Sequence, residues 1–334
     1  MDLNTIWFLG IAVLFAGFFV LEGFDFGVGM LLPFVGGDTP EDNDRRRTAQ
    51  VSTIGPLWDG NEVWLVTAAA AIFAAFPEWY ATLLSGFFFL FVLILVGLIV
   101  RGVSLEWRVK GKTAQWRRRC DIGTTFGSYL PAFLWGLIFT NLVAGVPLND
   151  KGRISSFTDG FVGLFNPLGL AGGLAFVLLF ALHGAIFVAL KAHEPLRGRA
   201  RTLALRWLAA PTAIVSLLYV VWLQNVAGAQ WTWIAVAVAA LGIATAIGAT
   251  FANRDGFAFA ATTIAIAAVC VVLFGSLFPD VIPSTSAHPG WDIYSAASNP
   301  YTLRIMSWAG IIILPAVIVA QAWSFWSFRQ RVKV

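Results

Sequence analysis

Four carboxylates lie inside apolar sequence or at its edge: Glu22, Asp25, Asp59 and Glu62. An ionisable side chain is costly in the hydrocarbon of a bilayer, so each needs either a function or a partner. Both pairs are spaced i, i+3, which puts Glu22 and Asp25 on one face of a first helix and Asp59 and Glu62 on one face of a second. Asp25 lies about eight residues, or about 12 Å, from the end of its helix. Asp59 follows Pro56 at the mouth of the second helix. Together the four would form a short ladder of proton-exchanging groups entering the membrane from one side. Two other readings stay open: Asp59 caps its helix, and Glu22 and Asp25 pair with a neighbouring chain.

Other chemistry-bearing residues are sparse. Among His183, His193 and His288, only His183 falls in the middle of an apolar run. A haem clamped between two imidazoles needs both at one depth, so no haem is expected to be ligated by this chain, and His183 reads as a hydrogen-bonded helix residue. Cys120 sits at a basic helix end and Cys270 inside an apolar run, at different depths, which excludes a disulfide or a metal quartet. Gly23 and Gly27, four apart beside Asp25, let another backbone approach closely, within the chain or on a partner. The 29 Phe and 15 Trp read as lipid-facing and interfacial residues rather than a cofactor box.

The elements that position these residues are membrane helices. Of 334 residues, 58% are hydrophobic and 12% charged, and the mean hydropathy is +0.78. Soluble domains carry roughly 25% charged residues, and no water-soluble fold covers so much apolar surface. Apolar runs at 6–33, 58–76, 79–100, 120–146, 168–190, 206–226, 230–251, 257–278 and 301–328 predict an all-α, polytopic chain of nine transmembrane helices, a single integral membrane domain over residues 1–334. The first run has no basic segment before it, carries two carboxylates and is too long for a leader, so it is expected to remain as a helix. With the N-terminus outside and the C-terminus cytoplasmic, the inner side receives Arg45–Arg47, the basic residues from Arg101 to Arg119, those from Lys191 to Arg206, Arg254, Arg329, Arg331 and Lys333. Only Lys151, Arg153 and Arg304 of the 22 basic residues fall outside, as the positive-inside rule requires. The net charge of +4 therefore marks helix ends, not a nucleic-acid surface. The proline-rich outer connections, about 147–167 and 279–300, are expected to be ordered turns.

The segment Glu22-Gly-Phe-Asp-Phe-Gly-Val-Gly29, followed by Pro56-Leu-Trp-Asp-Gly-Asn-Glu-Val-Trp-Leu65, closely resembles subunit II of the cytochrome bd quinol oxidases. The resemblance continues through Arg101-Gly-Val-Ser-Leu-Glu106, Trp116-Arg117 with Asp121, Gly127-Ser128, Asn141 to Pro147 and Asn166-Pro-Leu-Gly169. It returns at Phe278-Pro279 and Ser298-Asn-Pro-Tyr-Thr-Leu303.

What this resemblance implies is a multi-pass subunit of a bacterial cell-membrane terminal oxidase that takes electrons from quinol and reduces dioxygen to water. It implies two four-helix bundles plus a peripheral ninth helix, packed against a subunit I that holds haems b558, b595 and d. Small single-helix accessory subunits and membrane lipid are further partners of such a complex, and a structural quinone or lipid is expected in the aromatic-rich core. By matching position it makes Asp59 and Glu106, with Trp58, Asn61 and Asp25, candidates for a cytoplasmic proton path, Glu106 being expected on an inner loop level with Asp59. Family members often carry Gln where this chain has Glu62. The alternative from another class is a proton-coupled secondary transporter, which tends to show interrupted helices in two matching halves. Here the carboxylates cluster in the first third alone.

Overall fold

In the computed structural model, which describes residues 2–154 and 156–333, nearly every apolar run is helical, since only internal hydrogen bonding satisfies the backbone in hydrocarbon. The elements are α1 (Leu3–Leu31), α2 (Pro40–Ser52), α3 (Trp58–Ala75), α4 (Pro77–Gly86), α5 (Phe88–Arg108), α6 (Ala114–Ala144), α7 (Phe157–Gly160), α8 (Pro167–Lys191), α9 (Leu196–Leu203), α10 (Ala209–Ala227), α11 (Trp233–Phe251), α12 (Asp255–Leu277), the strands β1 (Asp280–Ile282) and β2 (Trp291–Asp292), and α13 (Pro300–Ser327). Among the described residues, eight helical segments are long and apolar enough to cross a membrane, or nine if the bent pair α3 and α4 is one span. Side chains start several of them: Asp2, Thr113, Asn166 and Asn299 each accept a backbone N–H of the first turn, and Pro follows directly at α8 and α13.

The run at 79–100 is not one helix. α4 leaves α3 at 120°, because Phe76 is non-helical and Pro77 opens a new first turn. The crossing helix α5 begins at Phe88 and runs to Arg108, so Arg101 and Glu106 are helical rather than part of a loop. The connection before α3 holds a polar helix, α2, capped by Thr39. The connection after α12 folds into an antiparallel pair, β1 with β2.

α1, α6 and α8 pack together at the centre, with α3 on α1, α5 on α6, α10 on α8, and α12 against α1, α8 and α11. α1 and α8 meet at glycines: a Cβ on Gly27 would stand 2.0 Å from Phe180 O, and one on Gly184 would stand 2.5 Å from Gly27 Cα. The glycine spacing therefore serves packing within the chain. The aromatics divide: Trp207, Trp308, Trp323 and Phe257 are among many that are exposed, as the lipid-facing reading expects, whereas Phe15, Phe19, Trp135, Phe139, Phe176 and Phe274 are buried and contact one another or their neighbours edge-on or tilted.

The two ends of the helices differ in chemistry. At one, guanidinium groups dominate: Arg197 and Arg201 hold Asp255, Arg47 meets Asp121, and Lys191 Nζ donates to the carbonyls of Phe328 and Gln330 as the tail pairs with Ala192. At the other, Asp2 accepts from the Tyr294 hydroxyl, Asn4 donates to Ile293 O, and Ser298 donates to Ala74 O and Ala75 O. Backbone and side-chain donors from Thr5 and the Tyr294 hydroxyl hold the Asp2 carboxyl below the usual range.

Candidate functional site

α5 delivers the residue that organises the carboxylates. Arg101 is fully buried, lies 5.0 Å over the Phe26 ring, and donates from Nη1 to Glu22 Oε1 and to Glu62 Oε1 at 3.1 Å. Glu22, on α1, is likewise fully buried, whereas the Glu62 side chain is 25% exposed. A cation for Glu22 and Glu62 thus comes from within the chain. The arrangement is under-satisfied: Arg101 Nε and Nη2, Glu22 Oε2 and Asp25 Oδ1 find no hydrogen-bond partner among the described residues. Buried polar atoms in that condition call for water or a proton, which is what a transfer site uses.

One turn from Glu22, Asp25 is held differently. Asn61 Nδ2 donates to Asp25 Oδ2 at 2.6 Å, and Gln321 Nε2 of α13 donates to Asn61 Oδ1 at 2.9 Å. Asp59 is exposed at the second position of α3. The cap position belongs to Leu57, and Asp59 accepts no backbone N–H among the described residues, so the capping role does not hold. The Trp58 ring lies against α5, where a Cβ on Gly102 would be 3.4 Å from it. Glu106 is exposed near the end of α5. The structure therefore joins Glu22, Glu62, Asp25 and Asn61 around one arginine and leaves Asp59 and Glu106 facing outward at the guanidinium-rich end.

Sequence reasoning missed Arg101 and Gln321. Arg101 directly follows the apolar run 79–100 and so counted as a loop charge, although two buried carboxylates on α1 demand a buried cation. Gln321 is the lone polar side chain between Ser307 and Ser324, and a glutamine in an apolar helix points to a helix partner.

His183 does not fit an axial ligand. Its Nδ1 meets Thr262 Oγ1 at 2.6 Å, its Nε2 meets Val20 O at 3.1 Å, and its ring stacks on Phe259 at 4.7 Å. One neutral tautomer satisfies both contacts, donating from Nε2 and accepting at Nδ1. Cys120 and Cys270 are buried free thiols. A cavity of about 240 Å³ opens between α1, α3, α4, α5 and α6, lined by Phe15, Tyr80, Phe91 and Phe139 along with Trp79 and Trp135. Both tryptophans carry a buried indole N–H with no acceptor among the described residues.

The sequence model of the family "Cytochrome bd terminal oxidase subunit II" matches residues 3–328. Subunit 2 of the cytochrome bd ubiquinol oxidase of Bacillus subtilis is 39% identical over 337 residues, covering 99% of this chain and 97% of that protein. Subunit 2 of the cytochrome bd-I ubiquinol oxidase of Escherichia coli is 32% identical over 373 residues, covering 99% and 95%. Among solved structures, a chain of the bd oxidase from Geobacillus thermodenitrificans shares the fold, with a TM-score of 0.76, 19% identity and 96% of each chain covered. A full-length match of this kind, on a multi-helix apolar chain whose Trp58-Asp-Gly-Asn61 element closes over a buried Arg–carboxylate cluster, makes this chain a member of the cytochrome bd terminal oxidase subunit II family.

Proposed function

We propose that this chain is the haem-free subunit of a membrane-bound quinol oxidase, that it stabilises a haem-bearing subunit I, and that it admits protons from the cytoplasm. The observation that carries the proton role is the set of unpartnered buried atoms around Arg101, one helical turn from an exposed carboxylate at the guanidinium-rich end. In this reading that end is cytoplasmic, as the placement of the basic residues favours, and the N-terminus lies outside. α3 and α4 together make one of nine spans. α1, α3, α5 and α6 form one four-helix bundle, α8, α10, α11 and α12 the other, and α13 is peripheral.

Asp59 and Glu106 exchange protons with water at the mouth. Glu62, three residues or about 4.5 Å deeper on α3, is the next acceptor, and Arg101 bridges it to Glu22. Asn61 holds Asp25 beside this cluster, and Trp58 fills the space against Gly102. The arginine keeps several carboxylates together in a low-dielectric setting where they would otherwise repel one another. The haems of the complex belong to subunit I and supply the oxygen chemistry there. Membership of an oxidase family weighs against the transporter alternative.

Asp59→Asn tests the path. It keeps size and some hydrogen bonding, removes proton exchange, and disturbs no cap, because none is made. Quinol-dependent oxygen uptake by the purified complex should fall several-fold at unchanged haem content. A wild-type rate would move the entry elsewhere.

The aromatic-lined cavity supports a structural quinone or lipid. Trp79 and Trp135 would donate to a carbonyl of such a ligand while the rings around them cover its apolar part. Solvent extraction of the complex that returns less than one quinone per complex would count against the quinone form.

A further inference from the structure

We propose that Gln321 is a positioning residue for the proton path, fixing the amide of Asn61 so that it presents a donor, not an acceptor, to Asp25. The inference rests on the reading of Asp25 as part of that path. α13 is otherwise exposed on this chain through its middle, from Trp308 to Val319. It is tied to α1 at the outer end, where Trp7 Nε1 donates to Ser307 Oγ at 3.1 Å, and at the other end Phe325 lies against the Phe24 ring, with centroids 6.3 Å apart. Between these ties its one polar contact is Gln321 Nε2 donating to Asn61 Oδ1.

That contact has a direction. An asparagine amide is nearly symmetric in shape, so sterics alone leave its oxygen and nitrogen interchangeable. In the structure Gln321 donates to the oxygen and the nitrogen faces Asp25, donating at 2.6 Å, an orientation that the Asp25 carboxylate and the Gln321 amide select together. Reversed, Asn61 would set a carbonyl oxygen against a carboxylate oxygen. Gly60 lies beside this contact, where a Cβ would be in ordinary van der Waals contact with Gln321 Oε1 at 3.4 Å. The charged groups around Asp25 are Glu22 on its own helix, Glu62 on α3 and Arg101 on α5, with Asp59 further out beside Glu62. On α8 the titratable group on this side is His183, already bonded to Val20 O. α13 carries no charge between Arg304 and Arg329. Its contribution to the site is therefore the orientation of a dipole.

The test uses the purified oxidase complex, with haem content and the presence of subunit I checked first, and follows quinol-dependent oxygen uptake across pH. Q321L should lower kcat by about threefold to tenfold, the value of one oriented hydrogen bond, with the quinol KM unchanged. Q321E should restore the rate on the acid side, where the introduced carboxyl donates through its O–H, and lose it on the alkaline side, where it no longer can. N61L combined with Q321L should be no slower than N61L alone, because the glutamine acts only through the asparagine. Additive losses in that double variant, or a Q321E profile parallel to wild type, would overturn the proposal while leaving the proton path standing. D25N in the same series separates the two: slow turnover upholds the path, and wild-type turnover removes both the path and the role of Gln321.

Discussion

Arg101 and Arg108 stand seven residues apart on α5, about 10 Å along its axis and on one face, yet their surroundings are opposite. Arg108 uses all three nitrogens: Nε to Asp121 at 2.6 Å, Nη1 to Thr48 at 2.7 Å and Nη2 to Asp44 at 3.0 Å. Its carboxylates are shared in turn, Asp121 with Arg47 and Asp44 with Arg117. Near the end of the helix each acid has two bases. Further in, a single nitrogen of Arg101 serves two acids, a third stands close by, and several polar atoms are left over. A guanidinium as saturated as that of Arg108 acts as a fastener, even though Arg47 Nε beside it is left without a partner among the described residues. An under-satisfied one is costly to keep, and that cost argues for use.

If that contrast is right, the largest effect comes from Arg101→Leu. It strands buried carboxylates without a cation, which costs about 3–5 kcal/mol. The complex should lose haem or melt well below wild type in detergent, and any surviving fraction should turn over slowly. Arg108→Leu should be milder, about 2–3 kcal/mol for charged hydrogen bonds whose acids keep a second base. The melting temperature should fall while oxygen uptake per haem holds, and a matching loss of turnover would erase the distinction between the two arginines. The smallest effect belongs to Glu62→Gln, which retains an oxygen to accept from Arg101 at a partly exposed position. Stability should stay within about 0.5 kcal/mol, with oxygen uptake reduced less than by Asp59→Asn. A larger loss than Asp59→Asn would make Glu62 the main acceptor and Asp59 a bystander.

The spacing of Glu22 and Asp25 was enough to put them on one face, and the apolar runs were enough to place most helices. Local pattern carries both kinds of information. Arg101 was not legible because its partner lies 79 residues away, and an apolar run that stops at a charge looks like a helix that stops there. The helix continues because the charge is neutralised from another element, which no window along the chain can see. The break between α3 and α4 was marked by Pro77, yet hydropathy is blind to a bend between two apolar segments. Asp59 had the residue type and setting of a cap, but the preceding turn hands that position to Leu57.

The same separation bears on how the protein is made. Glu22 leaves the ribosome 79 residues before Arg101, a lag of roughly 4–16 seconds at ordinary elongation rates. During that interval α1 carries two carboxylates that its mature setting buries; Asn61 is synthesised about half-way through it and the guanidinium only at its end. The mature setting of these carboxylates is therefore complete only once α3 and α5 have arrived with Asn61 and Arg101. Gly184, which seats α8 against Gly27, comes later still, so the pocket around Glu22 is sealed only in the second half of translation.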